Sequence, residues 1–129
     1  MVDIFMPNAR EAMLVAEQPT LQNAMPALME LVDILVVKDG ANGTWVGHNN
    51  QITHVPGIHA GPIVDTTGAG DCFNAGFLMG YVSEHQALDR CALYGNICGG
   101  LSVTGVGGAT TSPTRLELMH WLSLMPGSE

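Results

Sequence analysis

Asp65-Thr66-Thr67-Gly68-Ala69-Gly70-Asp71 runs straight into an apolar stretch from Cys72 to Val82, and this junction constrains the fold more than any other feature. It reads as a strand end, a turn of small residues, and a loop feeding a buried helix. Gly68, Ala69 and Gly70 let backbone come close to a ligand, because small side chains leave the main chain bare. Their N–H groups would sit at the positive end of the following helix, which makes an anion hole. Asp71 then sets a carboxylate beside that hole. A pocket for developing negative charge next to a base is what phosphoryl transfer to a hydroxyl requires. The same string also fits a plain strand-to-helix turn, with an acid placed to suit the helix dipole.

The remaining chain alternates strand and helix patterns, which predicts an α/β layered fold. Val2 to Met6 reads as a strand ending at Pro7. Asn8 to Glu17 reads as a helix closed before Pro19, and Thr20 to Val32 as a second helix despite Pro26. Ile34 to Val37 has no alternation and suits a strand buried on both faces. Asp39-Gly40 and Asn42-Gly43 are turn signals. Thr44 to Gly47 and Gln51 to Val55 flank Asn49-Asn50 as a hairpin. Ile63-Val64 closes a further strand. Ser83 and Gln86 stand in capping-box spacing, predicting a helix from about Glu84 to Thr104. Thr114 and Glu117 repeat that spacing before a last helix whose buried stripe is Leu116, Met119 and Leu122. The chain reads as though it starts in mid-domain.

Composition removes whole classes of function. Of 129 residues, 47% are hydrophobic and 12% charged, so the chain is not mainly disordered. No apolar run approaches the roughly eighteen residues of a membrane span, and Met1 to Arg10 lacks the pattern of a secretory signal. Four basic residues against twelve acidic ones give a net charge of −8, which cannot supply a nucleic-acid surface. Bound phosphate must therefore be held by backbone N–H groups, a helix N-terminus or a metal. Cys72, Cys91 and Cys98 form no C-x-x-C pair; they read as small apolar core residues in a reducing cytoplasm. His48, His54 and His59 lack close ligand spacing and read as surface or turn histidines. Trp45 and Trp121 read as packing residues, and Met79 and Met119 as core filler.

The string from Asp65 to Asp71, continued by Phe73-Asn74-Ala75-Gly76, closely resembles the second signature of the PfkB, or ribokinase-like, carbohydrate kinases, D-T-x-G-A-G-D. Pro7-Asn8-Ala9-Arg10-Glu11 resembles the family's N-x-x-E motif. Val36 to Gly43 resembles its nucleotide-side strand and turn, and Asn96 to Ala109 its late helix and adenine loop. Walker A is absent, as it is from this family. The resemblance implies a three-layer (α/β/α) Rossmann-like sheet, of which residues 1–129 would be the C-terminal, nucleotide-binding and catalytic portion.

It also implies roles. Asp71 would be the general base on an acceptor hydroxyl of a sugar or nucleoside. Gly68, Ala69 and Gly70 would hold the γ-phosphoryl group of ATP in transfer. Asn8 and Glu11 would organise Mg2+ and phosphate through waters; the same spacing is a capping box, and the two roles are compatible. Asp65 and the carbonyl of Thr67, with carbonyls of the Gly107–Thr111 loop, would hold a monovalent cation such as K+. Lys38 and Gly40 would lie near the phosphates, Asn96 beside the adenine, and Gly107 and Gly108 in the nucleotide loop. Asp39 departs from the family pattern, since an acid beside phosphates opposes nucleotide binding unless it points away.

The half of such a kinase that carries the lid and most sugar contacts has no counterpart here. The strand at Val2–Met6 is therefore expected to leave an unpaired edge and apolar surface, and the chain to self-associate or pair with another polypeptide. Two other function classes fit parts of the sequence. One is a non-catalytic nucleotide-binding or interaction module on the same fold. The other is a dinucleotide-binding oxidoreductase, opposed by Phe73 at the third glycine position and by the lack of a strand before Asp89.

Overall fold

Four residues in a row, Ile34, Leu35, Val36 and Val37, are buried in the computed structural model, so the strand they form is covered on both faces. The structure describes residues 4–58, 68–102, 119–120 and 122–124. The chain divides into two compact units, Met1–Pro56 and Gly57–Glu129.

The first unit is an open α/β sheet. Strand β1 (Ile4–Phe5) is followed by helices α1 (Ala9–Ala16) and α2 (Leu21–Met29), and the chain then returns through β2 (Ile34–Lys38). β2 pairs parallel to β1, with Ile4 opposite Ile34, and antiparallel to β3 (Thr44–His48). β3 pairs antiparallel to β4 (Gln51–Val55), giving the order β1-β2-β3-β4, with β1 at one edge among the described residues. Ala12, Met25 and Leu28 from the helices meet Leu35 and Val37 from β2, with Phe5, Val32 and Trp45 packed around them. The helical spacing of the apolar residues thus serves one sheet face. Asn49 and Asn50 take positive φ of 51° and 62° in the β3–β4 turn, as a two-residue type I′ hairpin requires.

Caps set the helix boundaries here. Asn8 Oδ1 accepts from the Glu11 N–H at 2.8 Å, and Glu11 Oε1 accepts from the Asn8 N–H at 2.9 Å. Thr20 Oγ1 accepts from the Asn23 N–H. α2 ends at Met29, short of the expected Val32: the Leu31 N–H turns back to the Leu28 carbonyl, tightening the last turn. Val32 still packs on the core from outside the helix.

In the second unit, α3 (Ala69–Leu78) passes into a π-helical turn at Met79–Ser83, and α4 (Leu88–Ser102) lies antiparallel against it. The expected helix start near Glu84 is corrected. The Ser83–Gln86 box does not form, because the Gln86 N–H donates to the Gly80 carbonyl and His85 takes a left-handed φ of 52°. The π turn thereby uses the donors that a new helix would need, and α4 begins at Leu88. Tyr94 Oη donates to Glu84 Oε1 at 2.7 Å, tying the turn to α4. Of the last helix, Leu122 is buried as expected, whereas Met119 is 46% exposed and does not join the stripe or serve as core filler. Ile63-Val64, His59, Trp121, Thr114 and Glu117 lie outside the described residues.

Candidate active site

Gly68 opens the α3 site with φ 80° and ψ 1°, the left-handed region that a side chain disfavours. It provides no side-chain cap, and its carbonyl accepts from the Cys72 N–H at 2.9 Å. The first N–H groups of any helix have no partner within it. Here those groups belong to Ala69, Gly70 and Asp71, which are helical and form the first turn, not a loop. A Cβ on Gly68 would meet nothing within 4 Å among the described residues. Gly70 and Asp71 are exposed, and Ala69 half-buried. The arrangement can hold an anion on backbone donors with a carboxylate alongside.

α4 reaches this turn because its facing residues are small. A Cβ on Gly99 would come 3.3 Å from the Ala69 carbonyl oxygen, and one on Gly95 would come 2.5 Å from the Phe73 ring. The sequence reading passed over these glycines. Their four-residue spacing on a helix was the available signal, since small residues at that interval form a contact face. Asn96, on the same helix, is 8% exposed.

Two thiols of α4 hold their protons. Burial first, and then the neighbouring Cys72, push the Cys98 thiol up to about 11. Burial first, and then Asp89, push Cys91 up to about 11.

In the first unit, Asn8, Glu11, Lys38 and Gly40 gather at the carboxyl ends of the parallel strands β1 and β2. Asn8 and Lys38 form a parallel bridge, and the Lys38 N–H donates to the Pro7 carbonyl at 3.0 Å. Ligands of open α/β sheets bind at this end of the strands. The capping box engages one carboxylate oxygen of Glu11 and the amide oxygen of Asn8, and both residues are exposed. The second Glu11 oxygen suits a cation reached through water, so the donor set fits an outer-sphere Mg2+.

Gly40 has φ 55° and starts a short 3-10 turn over Gly40–Asn42. Asp39 is drawn toward the hairpin: Trp45 Nε1 donates to Asp39 Oδ2 at 3.4 Å, and the Asp39 N–H donates to the Gly43 carbonyl. The Trp45 ring lies 4.3 Å from the His54 ring, and His54 Nε2 bonds the Asn42 carbonyl. His48 Nδ1 bonds the Asp33 carbonyl at 2.9 Å. These two histidines brace backbone. Asp65, Thr67, Gly107 and Gly108 lie outside the described residues.

The family model for pfkB family carbohydrate kinases matches residues 1–115. A nucleoside kinase of Methanocaldococcus jannaschii is 37% identical over 86 residues, covering 67% of this chain and 28% of that one. The crystal structure of a Thermotoga maritima ribokinase superposes with TM-score 0.85 and 29% identity, over 94% of this chain and 42% of the other. An Arabidopsis thaliana ribokinase, solved with ribose and ATP, gives TM-score 0.85 and 28% identity, over 92% of this chain and 40% of the other. The fold is thus an incomplete ribokinase-like α/β fold. The chain spans less than half the length of each of these relatives.

Proposed function

This chain belongs to the pfkB family of carbohydrate kinases, and we propose that it carries the anion hole and catalytic base of an ATP-dependent phosphotransferase acting on a sugar or nucleoside hydroxyl. The first turn of α3, entered through the left-handed Gly68 and holding Asp71, carries this reading. Asp71 takes the proton from the acceptor hydroxyl as that oxygen attacks the γ-phosphorus of ATP. The N–H groups of Gly68, Ala69 and Gly70 receive the charge that develops on the phosphoryl oxygens. By the family resemblance, Lys38 and Gly40 would serve the phosphates, Asn96 the adenine, and Gly107 and Gly108 the nucleotide loop. Asn8 and Glu11 would hold Mg2+ through waters, and the ion would neutralise charge on the phosphates. Asp65 and the carbonyl of Thr67 would hold a monovalent cation such as K+.

A second reading is a nucleotide-binding module on the same fold, without turnover. We further propose that β1, which lies at the sheet edge among the described residues, pairs with another polypeptide segment or a second copy. Leu14 and Val15 on α1, 67% and 57% exposed, offer apolar surface in the same unit. Calorimetric titration of the whole chain with ATP, in the presence of Mg2+ and K+, tests the shared part of both readings. Saturable binding is expected; a folded chain that binds no ATP refutes both. A panel of sugars and nucleosides then separates them. Turnover abolished by Asp71→Asn establishes the kinase, and binding without turnover establishes the module.

A further inference from the structure

α3 and α4 meet through small residues in one antiparallel register. Gly80 lies against Cys91, Gly76 against Tyr94 and Cys98, Phe73 against Gly95 and Gly99, and Ala69 against Gly99. Cys72 stands one helical turn before Gly76, on the same face. The register therefore carries Cys72 to the level of Cys98. A Cβ on Gly76 would come 2.8 Å from Cys98 Sγ, which shows that this thiol points into the α3 face. Cys72 packs against the cluster formed by Tyr94, Ile97, Cys98 and Leu122. The third cysteine is placed elsewhere: Cys91 faces Gly80, and its Sγ donates to the Gln86 carbonyl at 3.5 Å.

We propose that Cys72 and Cys98 form a redox-sensitive thiol pair, which a peroxide converts to a disulfide joining the first turn of α3 to α4. The two thiols differ in access. Cys72 is half-buried and open to a small oxidant, whereas Cys98 is buried, 9% exposed, and protonated. Cys72 sulfur attacks one peroxide oxygen, the O–O bond breaks, and the departing oxygen takes the proton that Cys72 gives up and leaves as water. Cys98 sulfur then attacks the Cys72 sulfenic sulfur. The S–O bond breaks, and the departing hydroxide takes the Cys98 proton and leaves as a second water. Two thiols lose two electrons in all, and one peroxide gains them. Thiol exchange with a reduced dithiol reverses the bond. Such transient bonds are the usual form of disulfide in reducing compartments. The bond would fix the helix turn one residue from Asp71. Any effect on phosphoryl transfer rests on the function proposed above; the bond itself does not.

The test is disulfide mapping on the whole chain. The native protein is treated with hydrogen peroxide, free thiols are alkylated, and the intact mass and linked peptides are read. A monomer lacking two hydrogens, with Cys72 linked to Cys98 and full reversal by dithiothreitol, is expected. Cys91→Ser should leave the link intact, and Cys72→Ser should abolish it. Oxidation in denaturant is the reference, and should give links to Cys91 as well. An intermolecular link, sulfinic acid at Cys72 without a link, or a native pattern matching the denatured one overturns the proposal. None of these readouts involves ATP, so the failure of the kinase reading and the failure of this one are distinguishable.

Discussion

Gly76 on α3 lies so close to α4 that a Cβ on it would stand 2.8 Å from the carbonyl oxygen of Tyr94. That oxygen belongs to the backbone of a helix and cannot swing aside, unlike the end of a long side chain. Gly76→Ala should therefore push the two helices apart and lower stability by about 1–3 kcal/mol, the usual cost of overpacking. Gly95→Ala, aimed at the Phe73 ring at 2.5 Å, should cost a similar amount. Urea denaturation of each variant checks both. An unchanged midpoint would mean that the helices are not in this register.

Asn8 has two roles that substitutions can separate. Its side chain caps α1, so Asn8→Ala should cost about 1 kcal/mol of stability. Asn8→Ser preserves the cap acceptor and should leave the denaturation midpoint within a few tenths of a kcal/mol. If Asn8 also orders the Mg2+ water shell, Asn8→Ser should still weaken Mg2+-dependent ATP binding. Titrations with and without Mg2+ provide the comparison. Equal weakening in both would remove the metal role.

The buried thiols give stability a dependence on alkaline pH. Cys91 and Cys98 titrate at about 11 in the folded chain against 9.0 as the ordinary value. The folded state therefore binds more protons than the unfolded state between those values. Their contribution is complete below pH 9 and is lost as pH rises toward 11. Urea midpoints should accordingly fall between about pH 8 and about pH 10.5, and Cys91→Ala should flatten the fall. A pH-independent midpoint over that range would contradict the burial of these thiols.

Much of this was legible because local chemistry and tertiary packing agree. Asn8 and Thr20 cap helices where their side chains say they should, and Ile34–Val37 is buried on both faces as its lack of alternation requires. The first misreading comes from competition for backbone donors. The Ser83–Gln86 spacing is a sound capping signal, but the preceding helix did not stop. The Gln86 N–H went instead to the Gly80 carbonyl at its π turn, an outcome that spacing cannot reveal. Met119 shows the second limit: an apolar residue at helical spacing is buried only if a neighbour covers it. The Asp39–Trp45 bond was illegible for a third reason, because strand register, not local sequence, sets it.

Asp71→Asn and Gly70→Val divide the α3 turn into its two proposed jobs. Asn keeps the size of Asp but cannot take a proton, so turnover should fall by about 10²–10⁴ with ATP affinity unchanged. Gly70 is exposed in the turn, and a branched side chain there would stand where the phosphoryl group must approach the backbone N–H groups. Gly70→Val should therefore weaken ATP binding outright and reduce turnover along with it. Calorimetry with ATP and a coupled assay for ADP, run on both variants, separate the effects. If Asp71→Asn weakens ATP binding as much as Gly70→Val does, the carboxylate belongs to the binding site and the base lies elsewhere. If neither variant alters binding, the first turn of α3 is not the phosphate site, and the sheet end at Asn8 and Lys38 becomes the place to look.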